Sequence, residues 1–288
     1  MPPKITRRSF SALVVGSVCD CAWAQAPVVA GRELDFRIQG DFGGASEADI
    51  KAVLHSAADS IWTHCPSTRW EAPGFFIFNN KNSPITLYDH RPDGRIAIGL
   101  NSQGHHWAQL AFQFAHEFCH ALAGHSNDWR KPKIRGRSAN LWLEESLCET
   151  ASLFALQSMG KTWQTKPPYE NWKSYANSLT SYADDRVKNS AKYLPKGTTF
   201  VQWFRESENA MRDNAVLREK NDVVARHLLP LFEAQPSGWE ALTFLNLGER
   251  DPKRSLEVHL RVWKSNVPSE LVAFVEKIGE RLGVRSEE

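Results

Sequence analysis

Hydrophobic spacing divides the chain into a mixed first part and a helical second part. Around Leu34–Ile38 a short extended piece precedes Gly40, Gly43 and Gly44. Ser46 then opens a segment with Ile50, Val53, Leu54, Ala57, Ala58 and Ile61 at three- and four-residue intervals. That is the period of a helix with one apolar face. It predicts a helix capped by Ser46, reaching about His64 and ended by Cys65-Pro66. Gly74-Phe75-Phe76-Ile77-Phe78 is a short apolar run between turn residues and predicts a buried strand. Ile85–Tyr88 predicts a second strand. After the turn Arg91-Pro92-Asp93-Gly94, the alternation of Arg95–Leu100 predicts a third.

Gln103–Ala123 follows, apolar almost all round, with Gly124 as its expected stop. One polar stripe interrupts it. At about 100° per residue, Gln109, Gln113, His116, Glu117 and His120 fall within roughly a 100° arc that contains no lysine or arginine. A cleft floor fits this better than a solvent-facing side. A basic loop over 124–140 leads to a second helix over Asn140–Met159, with Asn140 as the expected cap and Gly160 as the expected stop. Beyond Lys166-Pro167-Pro168 the spacing predicts only helices, over 169–190, 198–218, 220–234, 238–247, 252–264 and 268–283. The expected fold class is therefore α+β. A lobe over 25–160 carries a small mixed sheet, and an all-helical lobe follows over 161–288.

Composition places the chain among ordinary globular proteins: 42% hydrophobic and 24% charged over 288 residues. The first residues change the picture more. Thr6-Arg7-Arg8-Ser9-Phe10 is a twin-arginine pattern, followed by an apolar stretch from Ser11 to Trp23 and by Ala22-Trp23-Ala24. Together these predict a signal peptide over 1–24, hence an exported protein, periplasmic or secreted. The apolar stretch is too short to span a bilayer, so no stable membrane insertion is expected after cleavage. Removing residues 1–24 takes away Lys4, Arg7, Arg8 and Asp20 and leaves 32 basic against 32 acidic residues. Such a neutral chain gives no support to a nucleic-acid partner. Cys65, Cys119 and Cys148 are too few for a disulfide scaffold and read best as buried apolar fillers.

The chemistry lies in Phe114-Ala115-His116-Glu117-Phe118-Cys119-His120-Ala121-Leu122. Helical residues four apart point the same way one turn apart, so His116 and His120 can each give one nitrogen to a metal. Glu117 sits on the adjoining flank, where a carboxylate can act as base. A catalytic zinc takes three protein ligands, and the best third candidate is Glu145, which shares a helix face with Glu149.

These segments resemble the zincin metallopeptidases, in particular the gluzincins. The likeness extends over about residues 95–155 and includes Leu141-Trp142-Leu143-Glu144-Glu145-Ser146, similar to the Trp-Leu-x-Glu-Gly stretch of aminopeptidase-like members. Those members have asparagine where Glu144 stands and glycine where Ser146 stands. The resemblance implies one catalytic zinc held by His116, His120 and Glu145, with Glu117 as general base and Glu149 bonded to a ligand histidine. It also implies a peptide or protein substrate lying along a sheet edge strand, here Arg95–Leu100. Glu144, His125 and Asp128 remain alternatives for the third ligand. An oxyanion partner is expected among Tyr169, Tyr175, Tyr182, Tyr193 and His227. The Gly-x-Met-Glu-Asn stretch of the exopeptidases is missing, which favours endopeptidase action. Two rival readings stand beside this one: a non-catalytic zincin-like scaffold that binds peptide or cell-wall material, and a structural zinc site closed by Cys119 or Cys148.

Overall fold

A computed structural model of the chain describes residues 34–68, 74–87, 91–124, 139–247 and 251–284. The expected signal peptide, His125, Asp128 and the basic residues of the 125–138 loop lie outside the described residues. The fold is mixed, mostly helical, with one small four-stranded sheet, in agreement with α+β at that level.

The elements form largely where the spacing places them. Strand β1 (Phe36–Gln39) leads to helix α1 (Glu47–Trp62), whose Ser46 side chain accepts from the Asp49 amide. Strands β2 (Phe75–Asn79), β3 (Ile85–Leu87) and β4 (Ile96–Leu100) follow. The sheet order is β1-β2-β4-β3, with β1, β2 and β4 parallel and β3 antiparallel to β4. This corrects one expectation. Residues 95–100 do not form the edge strand: β4 lies between β2 and β3, and all five of its residues are buried. The edges are β1 and β3, and in β3 Ile85 and Leu87 are exposed while Thr86 is buried.

Helix α2 (Trp107–Gly124) lies on this sheet. Phe114 and Phe118, one turn apart, stack at 5.6 Å between ring centres, with Phe36 of β1 at 5.5 Å from Phe114 and Phe75 of β2 at 5.6 Å from Phe118. Two residues of helix turn the chain by about 200°, so the histidines at 116 and 120 face away from the sheet. The helix begins later than expected, because Gly104 takes a left-handed backbone (φ 55°) that holds His105 and His106 in the turn before it.

Helix α3 (Leu141–Trp163) packs across the face of α2 that bears the histidines. Two expectations fail here. The Asn140 side chain does not cap the helix but donates to the Arg254 carbonyl. Gly160 does not end the helix. A Cβ there would stand 2.4 Å from Thr180 Cγ2, so the glycine allows α4 (Ala176–Ser190) to approach closely. The expected 169–190 helix is accordingly split, a 3-10 turn over Glu170–Tyr175 coming before α4.

The remaining helices are α5 (Phe200–Asp213), α6 (Arg218–Ala234), α7 (Trp239–Leu242), α8 (Leu256–Asn266) and α9 (Ser269–Arg281). Helix α7 is one turn where 238–247 was expected. Helix α6 packs on α3, and one continuous apolar core runs from Phe36 to Leu282. No helix among the described residues is long and apolar enough to cross a membrane.

Candidate metal centre

The two histidines of the α2 stripe meet the carboxylates of α3 across the helix interface. Each histidine uses both ring nitrogens. His116 Nε2 lies 3.4 Å from Glu145 Oε2, and His120 Nε2 lies 3.7 Å from Glu145 Oε1. The outward nitrogens meet other carboxylates: His120 Nδ1 lies 2.7 Å from Glu144 Oε1, and His116 Nδ1 lies 3.8 Å from Glu149 Oε1. Glu145 thus bridges the two Nε2 atoms, while Glu144 and Glu149 stand behind the rings. Carboxylates behind the far nitrogen orient metal-binding imidazoles and make them more basic.

Both outer carboxylates are themselves held. Glu144 Oε2 accepts from Asn246 Nδ2 at 2.7 Å. Glu149 Oε2 lies 3.6 Å from Arg186, which also reaches Asp222 at 3.1 Å and lies over the Phe112 ring. Asn246 and Arg186 carry no local sequence signal, since their partners are 102 and 37 residues away. Glu144, an alternative third ligand by sequence, is engaged as the partner of His120 Nδ1.

Glu117, on the flank of the pair, is 4% exposed and accepts from Thr86 Oγ1 at 2.8 Å. The same hydroxyl lies 2.9 Å from the Glu117 carbonyl. The edge strand β3 therefore fixes this carboxylate. At the other end of the stripe Gln113 bonds the Asn101 backbone through both ends of its amide, at 2.8 and 2.7 Å. It ties α2 to the end of β4.

Electrostatics follow from this crowding. Burial alone would depress the His116 and His120 pKa values. The bond to Glu145 together with the charges of Glu149 and Glu117 at His116, and the bonds to and charges of Glu144 and Glu145 at His120, outweigh it and raise both. Burial would likewise raise the Glu145 pKa, yet its bonds to His116 and His120 bring it well below the ordinary carboxylate range. Burial and a hydrogen bond with Cys119 push the Cys148 thiol up. Cys65, Cys119 and Cys148, the cysteines among the described residues, are free and buried.

His116, His120 and Cys148 form a group able to hold a metal ion, with one donor atom from each within 4.8 Å of the others. Glu145 is the alternative third donor, at the distances given above. The two differ in access. Glu145 lines a cleft of about 590 Å³ together with His116, Glu117, His120 and Glu149, whereas Cys148 is absent from its wall and is fully buried. Two imidazoles and a carboxylate, backed by outer carboxylates, make a donor set that suits zinc.

None of Tyr169, Tyr175, Tyr182, Tyr193 and His227 is among the described residues lining the cleft. Tyr175 instead accepts from the Ala108 amide, and His227 stacks on Phe200 with ring centres 4.0 Å apart. Helix α6 and the residues before it add Val216, Arg218 and Asn221 to the lining of the cleft. No protein-family model, curated protein or solved structure matches this chain.

Proposed function

We propose that this chain is an exported zinc-dependent peptidase of the zincin type, acting within peptide chains. One observation carries the reading: two helix-borne histidines, a bridging glutamate and a tethered second glutamate line one side of a single cleft. His116, His120 and Glu145 would hold the metal, and Glu144 and Glu149 would orient the imidazoles. A bound zinc ion supplies Lewis acidity to water and to the scissile carbonyl. Glu117, oriented by Thr86, takes the proton from the attacking water and returns it to the leaving amine. Strand β3 offers its open edge to an extended substrate, in the role first assigned to residues 95–100. Export rests on the twin-arginine leader.

The test is metal content together with cleavage of a mixed peptide library, with and without chelator. The expected result is about one zinc per chain and cleavage that chelator abolishes. Glu117→Gln should retain the zinc and lose roughly 100-fold or more in rate. A zinc-loaded wild-type protein that cleaves no peptide sinks the proposal, as does an undiminished Glu117→Gln.

The proximity of Cys148 to both histidines favours a second reading, a structural site closed by a thiolate. Cobalt substitution separates the two. A thiolate-to-cobalt charge-transfer band that vanishes in Cys148→Ser supports the structural site, and its absence supports Glu145.

A further inference from the structure

The lining of the cleft includes, at the start of α6, a cation that the metal centre does not use. Arg218 is the one arginine or lysine among the described residues lining the cleft, and it is exposed. It makes no ion pair among the described residues. Its charge acts on Asp222, one helical turn further along α6, but the direct contact of that carboxylate is with Arg186, at 3.1 Å. The neighbouring polar group is also occupied: Asn221 Nδ2 donates to the Ala215 carbonyl at 2.8 Å, and its Oδ1 faces Ser146 Oγ at 3.3 Å. Arg218 is the first residue of α6, so the positive end of a 17-residue helix adds to its charge, and no side chain caps that end.

The rest of the cleft is of the opposite character. Glu117, Glu145 and Glu149 supply the carboxylates of the histidine side, and each is already held, by Thr86, by the two histidines, and by His116 and Arg186 respectively. The mouth is apolar, and Ile85, Leu87 and Val216 are three of the five large exposed hydrophobic side chains among the described residues. A ligand matching both features is an apolar peptide with one negative charge, placed against α6.

From this complementarity we propose that Arg218 sets substrate choice, by pairing with a carboxylate of the bound peptide. The guanidinium fork suits a carboxylate bidentately. The carboxylate can be an Asp or Glu side chain or a free C-terminus, and the chemistry of recognition is the same. The inference rests on the peptide-cleft reading above and names the class of peptide it takes.

Binding to zinc-loaded Glu117→Gln, followed by calorimetry, isolates recognition from cleavage. Matched apolar peptides would carry Glu or Gln beside a central leucine, each with a free or an amidated C-terminus. The expected result is roughly 10- to 100-fold tighter binding of the member bearing the relevant carboxylate. The Glu/Gln pair reports a side-chain source and the free/amidated pair a terminal one. Adding Arg218→Gln should erase that preference, Arg218→Lys should restore part of it, and Arg218→Glu should reverse it toward lysine peptides. Equal binding within both pairs, or a preference that survives Arg218→Gln, overturns the assignment. A preference that depends on Arg218, in a protein whose wild type cleaves no peptide, upholds the assignment while defeating the peptidase reading.

Discussion

Two pairs of shielded histidines in one chain behave in opposite ways. His116 and His120 lie between α2 and α3 among carboxylates, which raise their pKa values despite burial. His227 on α6 has two arginines near it, and His259 on α8 has one arginine and, acting the other way, the Glu144 carboxylate. Burial, with Arg226 and Arg281 near His227 and Arg254 near His259, lowers each to about 4. The residue type is the same, and the loss of water is common to both. Burial by itself lowers a histidine, as it does His64, and the sign reverses only where several carboxylates together outweigh it. Carboxylate neighbours suit a cation-binding centre, and burial without them suffices for a neutral packing histidine.

The harshest way to break the contrast is to remove a ligand. His120→Ala leaves Glu144 and Glu145 facing each other without their shared cation partner. It should reduce zinc content from about one per chain to near none, whereas His259→Ala should leave the zinc in place. Elemental analysis after dialysis against a weak chelator reads both. Equal zinc in the two variants would remove the distinction.

A milder change removes the charge behind a ring. Glu144→Gln keeps the shape and its contact with Asn246 but takes away the carboxylate at His120 Nδ1. Zinc affinity, measured by competition with a metal indicator, should fall by about 10- to 100-fold. An unchanged affinity would mean that Glu144 only packs.

The arginine-flanked pair predicts a pH effect. His259 has a folded pKa lowered below its unfolded value of 6.5, to about 4. Its contribution to stability is fully present above 6.5 and is lost as pH falls from there toward 4. The loss is at most about 3 kcal/mol across that window. Urea unfolding at pH 7 and pH 5 should therefore show less pH dependence in His259→Gln than in wild type. Equal slopes would show that His259 does not titrate in that window.

The smallest effect belongs to the tether on the base. Thr86→Val keeps the shape of β3 and removes the hydroxyl at Glu117. Zinc content should not change, and peptide cleavage should fall by roughly 10-fold, the worth of about one hydrogen bond to a charged group. A drop as large as that of Glu117→Gln would point to loss of the strand rather than of the hydroxyl.

What could be read from the sequence was local. His116, Glu117 and His120 sit within one and a half turns of one helix, and Glu145 and Glu149 are one turn apart on the next. Helical periodicity alone places such groups on a shared face. The contacts that complete the centre cross long separations. Thr86 reaches Glu117 over 31 residues and Asn246 reaches Glu144 over 102, and no spacing rule joins such pairs. Strand order was illegible for a related reason. A three-residue strand such as β3 has too little alternation to show its place, and only the burial of all five β4 residues shows that β4 is interior. Gly160 misled because one letter serves two ends: glycine stops helices, and it also lets helices touch.

Strand β3 has a further consequence. Its three residues supply both an open edge of the sheet and the hydroxyl that anchors Glu117. A peptide zipped onto that edge would lean on the same short segment that aims the carboxylate. Docking and proton transfer would then share a hinge, and a sideways slip of the strand would put both out of alignment at once. Directed variation around residues 83–87 should accordingly yield few changes in preference that leave turnover untouched.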